Sequence, residues 1–174
     1  MRLFWLLILS TSYGFCQSEV TNLYECVCEN TPNGEEKLEE LEKSMISDNL
    51  LVSNSAKHYK QFFLKGNGSY FDSFDENEIA SLQYNLGAFF TSNILANLKI
   101  NCFHQNKWGS IESQNLFNKI KEVDNILMKG TSLKDNRYDS IEDFWDGEFK
   151  TEWFVSNDTK VLLYIYLCTQ YCEN

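Results

Sequence analysis

Apolar side chains recur at steps of three and four from Ile79 through Leu82, Leu86, Phe89, Phe90 and Ile94 to Leu98, the spacing that lines one side of an α-helix. Asp75 stands three residues ahead of Glu78, where an N-cap side chain and an acceptor one turn later satisfy each other's orphan amides. The pattern predicts a long helix over 75–102, on whose aromatic and aliphatic stripe the other elements should pack. Leu38, Leu41 and Met45 mark a second apolar face over 35–46, with Glu36, Glu39, Glu40 and Glu42 on the solvent side. Leu116, Ile120, Val123 and Leu127 mark a third over 111–129, capped by Ser110 and ended by Gly130.

Elsewhere the pattern predicts strands. Asn67-Gly68 is a two-residue hairpin signal, because both central positions of a type I′ turn take positive φ, so His58 to Phe74 is expected to form a hairpin. Phe149, Thr151, Trp153 and Val155 alternate with Glu148, Lys150 and Glu152, and Val161 to Tyr166 is rich in β-branched and aromatic residues. With a turn over 156–159, that region reads as a second hairpin. Segment 19–29 reads as extended, Ile100, Cys102 and His104 as a further short strand, Thr31-Pro32-Asn33-Gly34 as a turn and 130–140 as a polar surface loop. The expected fold class is α+β: an antiparallel sheet of two hairpins packed against two main helices.

The start of the chain changes the picture from fold to compartment. Arg2 precedes an apolar run from Leu3 to Leu9, followed by small and polar residues. This is the form of a secretory signal, too short to remain as a membrane anchor. Gly14 and Cys16 suit cleavage before Gln17, dividing the chain into a signal peptide over 1–16 and a single secreted domain over 17–174. No later stretch reaches the length of a membrane span, so a soluble extracellular protein is expected. Sequons for N-glycosylation at Asn67 and Asn157 both fall at expected loop tips. The net charge of −10, from 25 acidic and 15 basic residues, weighs against nucleic acid and anionic lipid, which bind through Lys and Arg. It suits a basic protein partner and also serves solubility.

Export also governs the cysteines. Removal of 1–16 leaves Cys26, Cys28, Cys102, Cys168 and Cys172, an odd number. On an extended segment Cys26 and Cys28 share a side, as do Cys168 and Cys172 at their spacing of four. The two matched pairs are expected to bridge to one another and tie the chain's ends, leaving Cys102 as a free or intermolecular thiol able to join two chains. A competing pattern uses Cys102 with one of the terminal pair. A zinc site from these cysteines with His104 is disfavoured, because thiols pair in an oxidising compartment.

No Gly-x-Ser-x-Gly, His-Glu-x-x-His, phosphate-cradling loop or calcium loop is present, so no catalytic residue, metal or cofactor is assigned. The two histidines, His58 and His104, with Lys57, Lys60 or Lys107 holding a phosphate, are the parts from which a small hydrolase or nuclease would be built. The acidic charge opposes a polyanionic substrate. Trp108, Tyr138, Phe144, Trp145, Trp153, Phe154, Tyr164 and Tyr166 exceed what one face of a small core needs, which points to a binding surface or ligand cavity; core filling is the alternative. No family is matched by motif: the Gly-x-Trp strand of lipocalins is absent, and the two expected hairpins count against a helical cytokine. The functional expectation is a secreted, glycosylated binding protein or extracellular ligand acting on another protein, such as a receptor or host factor. A carrier of a small apolar molecule comes second, and a hydrolase using His58 and His104 third.

Overall fold

The computed structural model describes residues 22–66, 73–103, 109–128 and 147–172, with side chains described outside 103 and 124–128. The signal peptide, Asn67, His104, Trp108, Tyr138, Phe144, Trp145 and the 130–140 loop lie outside the described residues. Among the described residues every regular element is a helix and no strand occurs, so the expected sheet of two hairpins is corrected to an all-helical fold.

Among the described residues, α-helices run in order: α1 (Leu23–Glu29), α2 (Gly34–Ser47), α3 (Ala56–Gly66), α4 (Glu76–Phe89), α5 (Ser92–Leu98), α6 (Ile111–Met128) and α7 (Asn157–Tyr171). A π-helical turn over Lys99–Phe103 continues α5, and a 3₁₀ turn over Thr151–Phe154 leads into α7. The faces marked on α2 and α6 are buried as their spacing requires: Leu38, Leu41 and Met45 on α2, and Leu116, Ile120 and Val123 on α6. Asp75 and Glu78 form the reciprocal capping box at the start of α4, at 2.8 and 3.0 Å.

The long helix expected over 75–102 is broken into α4, α5 and the π turn. Thr91 adopts extended φ and ψ and its side chain accepts from the Ile94 amide, 3.4 Å away; a threonine placed to cap a new helix stops the old one. The short strand expected at Ile100 and Cys102 is this π turn instead.

Both hairpins fail for identifiable reasons. Tyr59, Phe62, Phe63 and Gly66 are all buried on α3, and their steps of three, one and three follow a helix face rather than a strand's alternation. Ser55 supports the start of α3, accepting from the His58 amide at 3.4 Å. Val161 to Cys168 on α7 is buried at every position. A helix enclosed on all sides carries no polar face, so its apolar run has no period that separates it from a buried strand. Ser156 caps α7 through the Thr159 amide at 3.2 Å. Segment 19–29 is likewise helical over its described part, with Asn22 accepting from the Glu25 amide at 2.7 Å.

The centre of the molecule is therefore α7, which packs against α1, α3, α4 and α6. Phe63 of α3 sits among Phe149, Phe154 and Tyr166, with ring centroids 5.0, 5.7 and 5.9 Å away. Such tilted pairs favour the aromatic quadrupoles beyond simple burial. No described helix is long and apolar enough to cross a membrane.

Candidate functional site

The first turn of α7 holds a buried carboxylate. Asp158 is 6% exposed and accepts from the main-chain N–H groups of Tyr24, at 2.8 Å, and Ser110, at 2.7 Å. Tyr24 lies in the first turn of α1 and Ser110 immediately precedes α6, so three helix starts converge on one anion. Their unsatisfied N–H groups and dipoles favour negative charge there. Gly109 makes the approach feasible: its φ is +77°, and a Cβ would fall 2.4 Å from the Asp158 carboxylate oxygen. Ser110 and Ser156 hydroxyls meet at 3.0 Å beside it.

On another side α7 carries a side-chain cluster through Lys160 and Tyr164. The Tyr59 hydroxyl donates to Glu42 Oε1 at 2.6 Å and also meets the Tyr164 hydroxyl. Lys160 Nζ reaches the same Glu42 oxygen at 2.9 Å and lies 4.9 Å from the centre of the Tyr59 ring. Burial, more than the neighbouring Glu42, raises the pKa of both hydroxyls above the ordinary tyrosine value. The cluster links α2, α3 and α7 with its hydroxyls protonated at neutral pH.

A third feature is open to solvent. Cys28 and Glu29 at the end of α1, with Asn33, Gly34, Glu35, Glu36 and Glu39 at the start of α2, line a cleft of about 620 Å³. Two backbone features shape it. Asn33 takes the left-handed conformation at φ 54°, which asparagine tolerates, and Gly34 lies so close to α1 that a Cβ would sit 2.6 Å from Cys28 Cα. Tyr24 borders Cys28 and Glu35, donating to Glu35 Oε1 at 3.4 Å; burial, aided by these two neighbours, pushes its pKa up to about 12. Burial likewise raises the Cys28 thiol, and Glu35, Glu25 and Glu29 add to the shift. A thiol held protonated is a poor nucleophile, so the cleft offers carboxylates and a neutral sulfur rather than a reactive cysteine.

The structure joins Cys26 to Cys102 across 76 residues, which is the competing pattern, in place of bridges from Cys26 and Cys28 to Cys168 and Cys172. The reason is the helix. Residues two apart on a helix point about 200° apart, so Cys26 faces the core, 0% exposed, while Cys28 faces outward and is half-buried. Cys102 is 0% exposed in the π turn beside α1. It is thus neither a free thiol nor the link of a covalent dimer. Cys168 is buried on α7 and Cys172 caps that helix. Closing a loop of this length contributes on the order of 4 kcal/mol in the chain-entropy model. Asn101 adds a side-chain hydrogen bond to Asn30 at 2.6 Å.

Of the histidines, His58 is half-buried with Nδ1 2.7 Å from Ser53 Oγ, and His104 lies outside the described residues. Among the described residues no group of three or more His, Cys, Asp or Glu is placed to hold a metal. Of the aromatic surplus, Phe154, Tyr164 and Tyr166 belong to the core at 1, 2 and 7% exposed, and Trp153 is half-buried against Phe149, ring centroids 6.5 Å apart. Asn157 is exposed as the first residue of α7.

Sequence reasoning did not anticipate the Asp158 convergence. Its local signal, an aspartate two residues after Ser156 at the head of an apolar run, marks a helix start, but nothing local names Tyr24 and Ser110 as its partners. No protein-family model matches the chain, and no curated protein or solved structure is significantly similar to it.

Proposed function

We propose that the chain acts outside the cell as a glycosylated binding protein or ligand, engaging a basic segment of another protein through the carboxylate-lined cleft between α1 and α2. The observation that carries this reading is the cleft: Glu35, Glu36 and Glu39 are exposed around an open hollow whose backbone is fixed by Gly34 and Asn33. Preformed acidic surfaces steer basic partners and set their association rates more than their affinities. The signal sequence and sequons support an extracellular setting. The hairpins that counted against a helical ligand are gone, and Phe154, Tyr164 and Tyr166 are spent on the core.

A display screen of extracellular proteins against the mature chain should return a partner whose binding weakens with salt and is lost on joint Glu35→Lys, Glu36→Lys and Glu39→Lys substitution. Binding that survives the triple reversal would move the contact surface elsewhere. Turnover of a substrate abolished by His58→Ala would replace this reading with the hydrolase, and an apolar molecule released into organic solvent from the native protein would replace it with the carrier.

A further inference from the structure

The geometry points to Asn157 as an N-glycan acceptor that can be modified only before α7 forms. This rests on the exported, glycosylated reading above and adds to it the conditions under which that site is used. Transfer joins the asparagine side-chain nitrogen to the anomeric carbon of an oligosaccharide carried on a lipid diphosphate. The new C–N bond replaces the C–O bond to the diphosphate, which leaves, and the amide nitrogen gives up a proton. The transferring enzyme must hold the acceptor amide and the hydroxyl two residues on at the same time, which requires both to be accessible on a pliable segment.

In the folded chain they are not equivalent. Asn157 is exposed, so a bulky sugar placed there meets no packed neighbour. Thr159 is 0% exposed. Its hydroxyl lies 3.0 Å from Ser156 Oγ, and its amide donates to the same oxygen at 3.2 Å. Asp158 between them is committed to the main chain of α1 and α6. Releasing Thr159 therefore means unwinding the start of α7 and surrendering the Asp158 contacts. The folded state accommodates the product of glycosylation but withholds the recognition element for making it, so folding and modification compete for the same three residues.

The test is translation of the full chain into microsomal vesicles, with glycans counted by endoglycosidase-sensitive gel shifts. Asn157→Gln should lose one glycan that Asn67→Gln retains. Keeping the cysteines reduced, which delays closure of the Cys26–Cys102 bond, should raise the fraction modified at Asn157. Folded, sugar-free protein given purified transferase and donor should gain nothing at Asn157, while the same chain in its reduced, unfolded state should gain one glycan. Equal glycan numbers for wild type and Asn157→Gln in protease-protected chains would overturn the inference and leave export intact. Equal transfer to folded and unfolded chains would overturn the dependence on folding. Chains left open to protease outside the vesicles would overturn the export reading, and this inference with it.

Discussion

Near its start α7 reaches α1 and the residue preceding α6 through a carboxylate that accepts main-chain N–H groups; through Lys160 and Tyr164 it reaches α2 and α3, which it meets by side chains. The two ties differ in what their partners can do when the tie is cut. The N–H groups of Tyr24 and Ser110 are fixed by their helix starts and cannot turn to another acceptor. Tyr59, by contrast, keeps Glu42 if Tyr164 loses its hydroxyl. The lesson is that a buried polar group's importance is set by how many alternatives its partners retain.

Replacing the anchored end should cost most. Asp158→Ala leaves two orphaned donors at buried helix starts and should lower unfolding free energy by about 4 kcal/mol, read by urea denaturation; Asp158→Asn, which keeps one acceptor oxygen, should cost roughly half of that. An alanine variant as stable as wild type would erase the distinction between the two ties. Gly109→Ala, which combines positive φ with a Cβ against the same carboxylate, should cost about 2 kcal/mol. Tyr164→Phe should cost about 1 kcal/mol, because the Tyr59 hydroxyl remains satisfied.

Alkali probes the side-chain tie without mutation. Burial holds the Tyr59 and Tyr164 hydroxyls protonated beyond the ordinary value of 10.0. Their contribution to stability is therefore complete below pH 10 and is lost as pH rises through the folded-state values. Ultraviolet titration should show these two tyrosines ionising only with unfolding, and Tyr59→Phe with Tyr164→Phe should flatten the alkaline loss of stability.

Where a single helical face meets solvent, the sequence is explicit: Leu38, Leu41 and Met45 on α2 and the Asp75–Glu78 box on α4 need only local spacing to be read. Where burial surrounds an element, that legibility disappears. Val161 to Cys168 shows no polar phase because every position is enclosed, and the neighbouring strand-like alternation over 149–155 lent it a false partner. At His58–Leu64 the Asn67-Gly68 signal outweighed a helical face formed by Tyr59, Phe62 and Phe63. The disulfide error followed from the same source, since two cysteines two apart share a side on a strand and oppose each other on a helix. The acidic residues of the cleft were visible as charge on α2, but the hollow they line depends on Gly34 meeting Cys28, a contact between elements that local spacing does not encode.

The position of α7 in the chain order has a consequence for biosynthesis. The helices it covers all emerge from the ribosome before it does, each carrying apolar surface whose eventual lid has yet to be made. Until α7 arrives, the nascent molecule is the kind of client that chaperones retain, and a frameshift that removes α7 would be as damaging as one in the helices it covers.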